Sequence, residues 1–481
     1  MNSRFIGRKK ELQQLHGLLK KNSASLVVIK GRRRIGKSRL VEEFSKKFKF
    51  YNFSGIPPHD KTSRLDQLHE FGWQLGKIVG EPAFKDDDWN DLFLRLANRT
   101  REGTVVILLD EISWMGSKDP NFLGKLKNAW DLEFKKNNNL ILILCGSVSS
   151  WIDNNILSNT GFLGRISLTI TLNELSLSEC NEFWEGNKTS ISAFEKYKIL
   201  SLTGGVPKYL EEVRTELTAE ENIRNLCFTP SGFLFNEFEH IFTDVFSKRS
   251  DIYKKIVQTI SDSSFELDKI CRLLDIEKSG VTSTYLEELV SSGFISRDHT
   301  WHILKGKQSK LSKYRIKDNY LRFYLKYILP NKDQIKRDVF VNRSLASLPN
   351  WDGIMGLQFE NMVINNRALI LEALQIRLED VIYDNPFFQT STKTHDGCQI
   401  DYMIQTRFNT LYVCEIKFSR NPIGLQVIEE VRTKLSRLKI PKLFSVRTVL
   451  IHVGSVSHEV VDNLYFANIV DFASLLTTRT P

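Results

Sequence analysis

Three groups of residues in this 481-residue chain have the types and spacing that phosphate and metal chemistry uses. The first is Gly31-Arg32-Arg33-Arg34-Ile35-Gly36-Lys37-Ser38, the pattern GxxxxGK followed by Ser or Thr. Its glycines let a loop wrap a phosphate with backbone N–H groups, its lysine can reach β and γ phosphates, and its serine hydroxyl can hold magnesium. The second is Asp110-Glu111, closing an apolar run. Asp110 is expected beside the magnesium through water, and Glu111 where it can activate an attacking water. The third is split across a hairpin: Asp401 on one strand, Glu415 and Lys417 on the next. Glu415 and Lys417, two apart, share a face, and the hairpin can bring Asp401 onto it. Two carboxylates and a lysine there can bind a hard cation and polarise a water against a phosphodiester. Glu360, on a helical stretch upstream, can add a third carboxylate. The expected metal ligands are therefore Ser38 and Asp110 at one site. At the other they are Asp401, Glu415 and Glu360 with the Ile416 carbonyl, and Lys417 stabilises charge or orients the water.

These groups need elements to position them. The apolar run 25–29 predicts a strand ending at the glycine-rich loop, and 38–48 the helix that begins there. Residues 105–109 and 140–144 read as strands apolar on both faces, as strands covered by helices on both sides are, and 166–172 as a further strand. Alternating strands and helices over the first 175 residues predict a parallel α/β sheet. From Ser176, paired with Glu179 as a capping box, the pattern is helical to about 246, broken at Gly204-Gly205-Val206-Pro207, which is the size of a helical lid. Helices at 253–260, 267–274 and 281–291, then strands at 293–297 and 314–316, follow a winged helix-turn-helix pattern. Its last helix carries Glu287 and Glu288, so packing or oligomerisation is as open as base reading. A helix over 356–374, a strand-rich hairpin region over 381–418 turning at 407–410, a helix over 422–438 and a strand over 448–453 predict a separate small α/β domain. The expected division is 1–175 core, 176–247 lid, 248–317 winged helix, 318–350 basic connector and 351–481 C-terminal domain.

Composition narrows the function classes. Hydrophobic residues at 41% and charged residues at 26% are an ordinary globular balance. No apolar run reaches membrane-helix length and the N-terminus lacks the apolar core of a secretion signal, so a cytoplasmic protein with no membrane partner is expected. Six scattered cysteines without a CxxC pair argue against a zinc site or a disulfide framework. The formal net charge is +10, and most of the surplus lies between Lys305 and Arg343, where twelve Lys or Arg stand against three acids. That stretch is either a patch for a phosphate backbone or a solvated, charge-rich connector.

Residues 3–240 resemble the AAA+ and STAND-related ATPases often called archaeal-type ATPases. Phe5-Ile6-Gly7-Arg8-Lys9-Lys10-Glu11-Leu12 matches that family's opening FxGRxxEL box, which implies adenine contacts from Gly7 and Arg8. The resemblance also implies a polar γ-phosphate sensor at Ser147, after Cys145-Gly146. It makes Arg165, in Leu163-Gly164-Arg165, an arginine-finger candidate with a structural arginine as the alternative, and it puts Pro207 near the nucleotide. One departure is Arg32, where the family often has proline; the three consecutive arginines can simply be solvated. The nucleotide-binding set so implied is Gly7, Arg8, Gly31, Arg32, Arg33, Arg34, Ile35, Gly36, Lys37, Ser38, Arg39, Ser147 and Pro207, with Glu111 and Arg165 catalytic and ATP and Mg2+ as cofactors. Residues 310–470 resemble the PD-(D/E)XK nuclease superfamily, in the form of a domain of unknown function that often follows this ATPase type. That resemblance implies catalytic roles for Asp401, Glu415 and Lys417.

The expected fold is thus α/β: a P-loop AAA+-like parallel sheet with a helical lid, a winged helix and a C-terminal restriction-endonuclease-like α/β domain. The expected function is an ATP-hydrolysing switch or motor coupled to a metal-dependent nuclease-like domain. That domain would be directed at nucleic acid, DNA before RNA, with a homo-oligomer left open. The alternative is a regulatory ATPase whose last domain binds DNA or protein partners without cleavage.

Overall fold

The structure, a computed structural model, describes residues 4–57, 61–147, 149–185, 191–246, 250–340, 344–391 and 396–476. They cluster into two compact units, one running to Glu174 and including Ser291–Gly293, the other taking the remainder from Leu175. Among the described residues no helix is long and apolar enough to cross a membrane. All six cysteines are free and buried.

The first unit is built on a five-stranded parallel sheet in the order β2-β3-β4-β1-β5. Its strands are β1 Ser25–Lys30, β2 Lys49–Ser54, β3 Val105–Asp110, β4 Leu140–Gly146 and β5 Ile166–Thr171. The pleat sorts their side chains with a period of two. Leu26, Val28, Ile107, Leu109, Leu142 and Leu144 pack on one face with the helices Arg64–Val79, Trp89–Arg99 and Phe122–Leu132. Val27, Ile29, Val106, Leu108, Ile141 and Ile143 pack on the other with Lys9–Leu18 and Lys37–Ser45. Each such side chain contributes roughly 1.5–3 kcal/mol by leaving water, against about 0–1 kcal/mol for a surface ion pair. The two apolar layers therefore fix the strand ends, and with them the loops that carry polar chemistry.

The sequence predicts that the helix after β1 runs on to Phe48, but it stops at Ser45. Phe44 and Phe48 do meet, with ring centroids 5.5 Å apart, which is why their spacing reads as helical. The backbone instead turns, Phe48 N–H donating to Ser45 O at 2.9 Å. That turn frees Lys49–Ser54 to form an edge strand whose Tyr51 and Phe53 point into the core while Lys49, Asn52 and Ser54 face water.

The second unit opens on the expected capping box: Glu179 N–H donates to the Ser176 hydroxyl, and Ser176 N–H to the Glu179 carboxylate. Helices Ser250–Thr259, Leu267–Leu274 and Gly280–Ser291 lead into an antiparallel ribbon, β6 Ile295–His302 and β7 Lys307–Ile316. A separate mixed sheet in the order β12-β11-β10-β9-β8 follows. β8 Val381–Gln389, β9 Cys398–Thr406 and β10 Thr410–Phe418 are antiparallel neighbours, and β11 Ser445–Val453 and β12 Asn468–Asp471 continue the sheet in parallel. A parallel pair needs a crossover, and the helix Gln426–Arg437 provides it between β10 and β11. One core joins Tyr197, Ile256, Leu286, Tyr314, Phe359 and Ile416, while the crossover helix packs through Val427, Ile428 and Val431 in a separate cluster.

Within residues 318–350, expected as a basic connector, Tyr320, Leu321, Phe323, Tyr324, Tyr327 and Ile328 are buried in that core. Arg322 shows how a basic residue can accompany them. Its Nε donates to Ser261 O (3.3 Å), Nη1 to Leu357 O (3.0 Å) and Gln358 Oε1 (2.9 Å), and Nη2 to Ile316 O (3.0 Å). The planar guanidinium thus staples the end of β7, the turn at Ser261 and the helix Trp351–Asn365. Burial draws its pKa down to about 10, so it stays charged at neutral pH. Arg322→Ala should destabilise this unit by about 3–5 kcal/mol, because it strands buried acceptors. Arg322→Lys should lose much of the same, since one ammonium cannot span the four acceptors. Urea unfolding measures both, and a loss below about 1 kcal/mol in either variant would show the staple to be dispensable.

Candidate functional site

The glycine-rich loop leaves the carboxyl end of β1 and enters the helix Lys37–Ser45 through Gly36, left-handed with φ 88°. A Cβ at Gly31, whose φ is 152°, would stand 2.5 Å from the Leu172 carbonyl oxygen, so only glycine fits. Lys37 is nearly buried and its Nζ donates to the carbonyls of Gly31 (3.0 Å) and Arg32 (3.1 Å). Gly7 and Arg8 were expected at the adenine. The structure shows Arg8 bracing the loop: it is 4% exposed, and its Nη2 donates to Ile35 O (3.0 Å) and Asn173 O (2.6 Å). Ile35 is fully buried beneath the loop. Arg32, Arg33 and Arg34 are not the solvated run the sequence allowed. Arg32 is buried with Nη1 3.4 Å from Glu174, and Arg33 and Arg34 are half-buried. Arg39 lies on the outer face of the helix, 3.9 Å from Glu42.

The acids meet this loop across the sheet. β4 lies between β1 and β3, and the Ser38 hydroxyl donates to Asp110 Oδ2 at 2.5 Å. Glu111 is left-handed, with φ 49°, and its N–H donates to Asp110 Oδ1 (3.0 Å). Its Oε2 accepts from both the N–H (3.2 Å) and the hydroxyl (2.9 Å) of Ser147, just beyond β4. Beneath Asp110, burial first and the neighbouring acid second push the Cys145 thiol up, so it stays neutral. Lys37, Ser38, Asp110, Glu111 and Ser147 are thus one constellation.

Arg165 is not part of it. It directly precedes β5, whose Ile166 pairs with Leu26 at the start of β1, while the loop leaves the other end. Its Nε and Nη2 fork onto the Asp131 carboxylate at 2.8–3.1 Å, and these bonds hold that carboxyl well below the usual range. Pro207 begins the helix Pro207–Glu211 of the second unit, after Gly204 and Gly205 at φ 61° and 80°.

In the second unit, Tyr402 pairs with Cys414 across the β9–β10 hairpin, which brings Asp401 beside Glu415. Asp401 Oδ2 accepts from Ile416 N–H (3.1 Å). Lys434, on the helix Gln426–Arg437, donates to Asp401 Oδ1 (3.1 Å) and Glu415 Oε2 (2.6 Å). Lys417 Nζ lies 3.2 Å from Glu415 Oε1 and 2.6 Å from Glu430. The sequence reading missed Lys434 and Glu430, four apart on one helix face; nothing in an amphipathic helix marks which lysine turns inward. Burial opposes the Lys434 charge, but Asp401 and Glu415 hold it protonated well above the ordinary lysine range.

Glu360 and Asp401 share a cavity of about 100 Å³ with Arg315 and Arg322. Burial, then the Asp401 carboxylate, push the Glu360 carboxyl up to about 7. The expected trio Asp401, Glu415 and Glu360 is therefore not assembled as a metal site. Among the described residues no three His, Cys, Asp or Glu side chains are placed to hold an ion. The cation between Asp401 and Glu415 is the ammonium of Lys434.

The basic stretch divides. Lys313 is half-buried and donates to Gln399 Oε1 (3.2 Å), Arg315 Nε donates to Asp298 Oδ2 (2.6 Å), and Lys332 pairs with Glu239 (3.1 Å). Lys305, Lys307 and Lys310, at the ribbon turn, are exposed. Arg343 lies outside the described residues.

Residues 5–213 match the family model of an ATPase domain predominantly from Archaea. An uncharacterized protein of Methanocaldococcus jannaschii is 25% identical over 365 residues, 74% of this chain and 76% of its own. The Walker-type ATPase PABY2304 of Pyrococcus abyssi has a TM-score of 0.51 at 16% identity, covering 67% of this chain and 97% of that one. The ORC2 protein of Aeropyrum pernix, solved as ADPNP and ADP complexes, has a TM-score of 0.43 at 14% identity, covering 70% and 98%. The P. abyssi likeness shows a shared fold. Residues 5–213 are thus similar to an archaeal ATPase domain, and the sheet they contain is parallel and five-stranded.

Proposed function

We propose that the protein binds ATP in the loop Gly31–Ser38 and hydrolyses it with Glu111 as the base, as a switch coupled to the C-terminal domain. The observation that carries this reading is the convergence of Ser38, Asp110, Glu111 and Ser147 at the strand ends beside the loop. A phosphate oxygen is a stronger acceptor than the two carbonyls that Lys37 now serves, so ATP draws that ammonium to itself. The Ser38 hydroxyl and Asp110 carboxylate are a hard-oxygen pair that fits Mg2+. When bound, Mg2+ neutralises charge on the phosphates. Both Ser147 bonds fall on Glu111 Oε2, which orients Oε1 to take the proton of the attacking water.

Lys37→Ala should abolish ATP binding. Glu111→Gln should bind ATP normally and lose turnover by about 10²–10⁴-fold. Ser147→Ala, which frees the carboxylate without removing it, should lower kcat by roughly tenfold with ATP affinity unchanged. Isothermal titration and phosphate-release assays measure all three, and wild-type turnover in the Glu111→Gln protein would sink the assignment of the base.

For Arg165 the Asp131 fork supports a structural role, pinning the start of β5 to the helix Phe122–Leu132. Arg165→Ala should lower the melting temperature while leaving kcat within about threefold. Loss of turnover by about a thousandfold at unchanged stability would make it a finger acting on a second copy.

The C-terminal domain has two readings. Convergence of Asp401, Glu415 and Lys417 supports metal-dependent cleavage of nucleic acid, DNA in preference to RNA. The two carboxylates and the Ile416 carbonyl would hold the ion, and Lys417 would steady the attacked phosphate. Lys434 supports the rival, a domain that binds nucleic acid or protein without cutting, because it already neutralises both carboxylates. On the first reading Lys434→Met should tighten Mn2+ binding by at least about tenfold. Wild-type protein should then nick plasmid DNA in Mg2+ or Mn2+, and Glu415→Gln should not. Equal nicking by Glu415→Gln, or none by wild type and Lys434→Met alike, would leave the non-cleaving domain as the reading.

A further inference from the structure

Away from both sites, the second unit holds a larger cavity, of about 680 Å³, between the β6–β7 ribbon, β8 and residues 439–443. Trp301, Ile303, Leu311, Phe387, Ile440 and Leu443 supply its apolar lining, and its charged lining residues are Lys305, Lys439 and Lys442. The volume falls within the range of about 300–1,000 Å³ that small-molecule pockets occupy.

An apolar hollow of this size closes up unless its walls are held, because protein interiors pack to high density. Here both walls are held by buried or half-buried amides. Trp301 Nε1 donates to Gln405 Oε1 (2.6 Å), and Gln405 Nε2 donates to Ile303 O (2.9 Å). Opposite, Gln389 Nε2 donates to Arg437 O (3.0 Å) while its Oε1 accepts from Lys439 N–H (3.0 Å). Leu304 and Leu443 flank the mouth and are 72% and 78% exposed. Among the described residues none of the three lysines pairs with a carboxylate.

We propose that this cavity binds a small amphiphilic anion: an apolar body inside, and a carboxylate or phosphate head held by Lys305, Lys439 and Lys442. The apolar surface gives the ligand its body, since each buried CH₂ contributes about 0.8 kcal/mol. The three ammonium groups give its head the sign of charge and charge-assisted hydrogen bonds. A nucleic-acid strand fits less well. The exposed apolar side chains at the cavity's mouth are Leu304 and Leu443, which are aliphatic and give a base no ring on which to stack.

The experiment titrates full-length protein with 8-anilinonaphthalene-1-sulfonate, an aromatic body with one anionic group, and follows its fluorescence. Saturable one-to-one binding is expected, displaced by decanoate or by decyl phosphate but not by decanol or inorganic phosphate. Whichever of the two displaces at lower concentration identifies the head group. The triple variant Lys305→Gln, Lys439→Gln, Lys442→Gln changes only exposed side chains and should bind the probe at least about tenfold more weakly, with its melting temperature and ATP turnover intact. Ile440→Trp, which fills the cavity, should also lose the probe. Unchanged affinity in the triple variant, or competition by decanol equal to that of decanoate, would overturn the proposal. So would displacement by a single-stranded oligonucleotide with a steep salt dependence.

Discussion

The turn from β1 into the helix Lys37–Ser45 holds Gly31, Arg34 and Gly36 at positive φ, a conformation that costs an ordinary residue such as Arg34 about 1 kcal/mol or more. The loop does not keep that shape alone. Leu172 N–H donates to Lys30 O at 2.8 Å, while the Leu172 carbonyl closes over Gly31. Arg8 reaches from far upstream in the chain to clamp Ile35 O and Asn173 O. Lys37 spans the interior of the loop. A backbone cradle for phosphate works only if its N–H groups are aimed before the phosphate arrives. These bonds do the aiming, and the two-sided apolar sheet makes their anchor points rigid.

In the second unit the electrostatics run inward. A stretch with a large positive excess folds so that Arg315 and Arg322 are enclosed by Asp298, Asn361, Gln358 and backbone carbonyls. A few residues away Glu360 is pushed toward neutrality, and Asp401 and Glu415 are bridged by Lys434. A buried charge is tolerable only when paired and hydrogen-bonded, and Arg315, Arg322, Asp401, Glu415 and Lys434 each are. The outcome is a polar seam beneath the mixed sheet. Its chemistry depends on whether Lys434 stays between the two carboxylates or yields its place to a metal ion.

Much of this was legible in the sequence. The apolar runs of β1, β3 and β4 could be read because strands covered on both faces must be continuous in hydrophobicity. The loop and the Asp110-Glu111 pair could be read because phosphate binding fixes both residue type and spacing. The hairpin bearing Asp401 and Glu415 came from its turn at residues 407–410. β2 was hidden because Phe44 and Phe48 mimic a helix face, and only the edge position of Tyr51 and Phe53 overrides that pattern. Arg8 was read as a nucleotide contact from the family's opening box, while its two carbonyl partners, far along the chain, leave no mark in sequence. Arg315 and Arg322 were open to either a phosphate patch or a solvated connector, and Lys434 drew no reading, for the same reason. Their acceptors come from distant segments, and burial of a cation is decided by those acceptors rather than by the cation's neighbours in the chain.

The two units therefore rest on one principle used twice: a polar group is held in a fixed place by partners from elsewhere, on a scaffold whose rigidity is apolar. In the first unit the fixed group is the glycine-rich loop facing a carboxylate pair, and the central claim is that this arrangement binds and turns over ATP. Phosphate release by wild-type protein, measured beside ATP binding with and without Mg2+, tests it most directly. The account predicts saturable binding and saturable, Mg2+-dependent release. Failure to bind ATP, or binding with no phosphate release at any Mg2+ concentration, would contradict it.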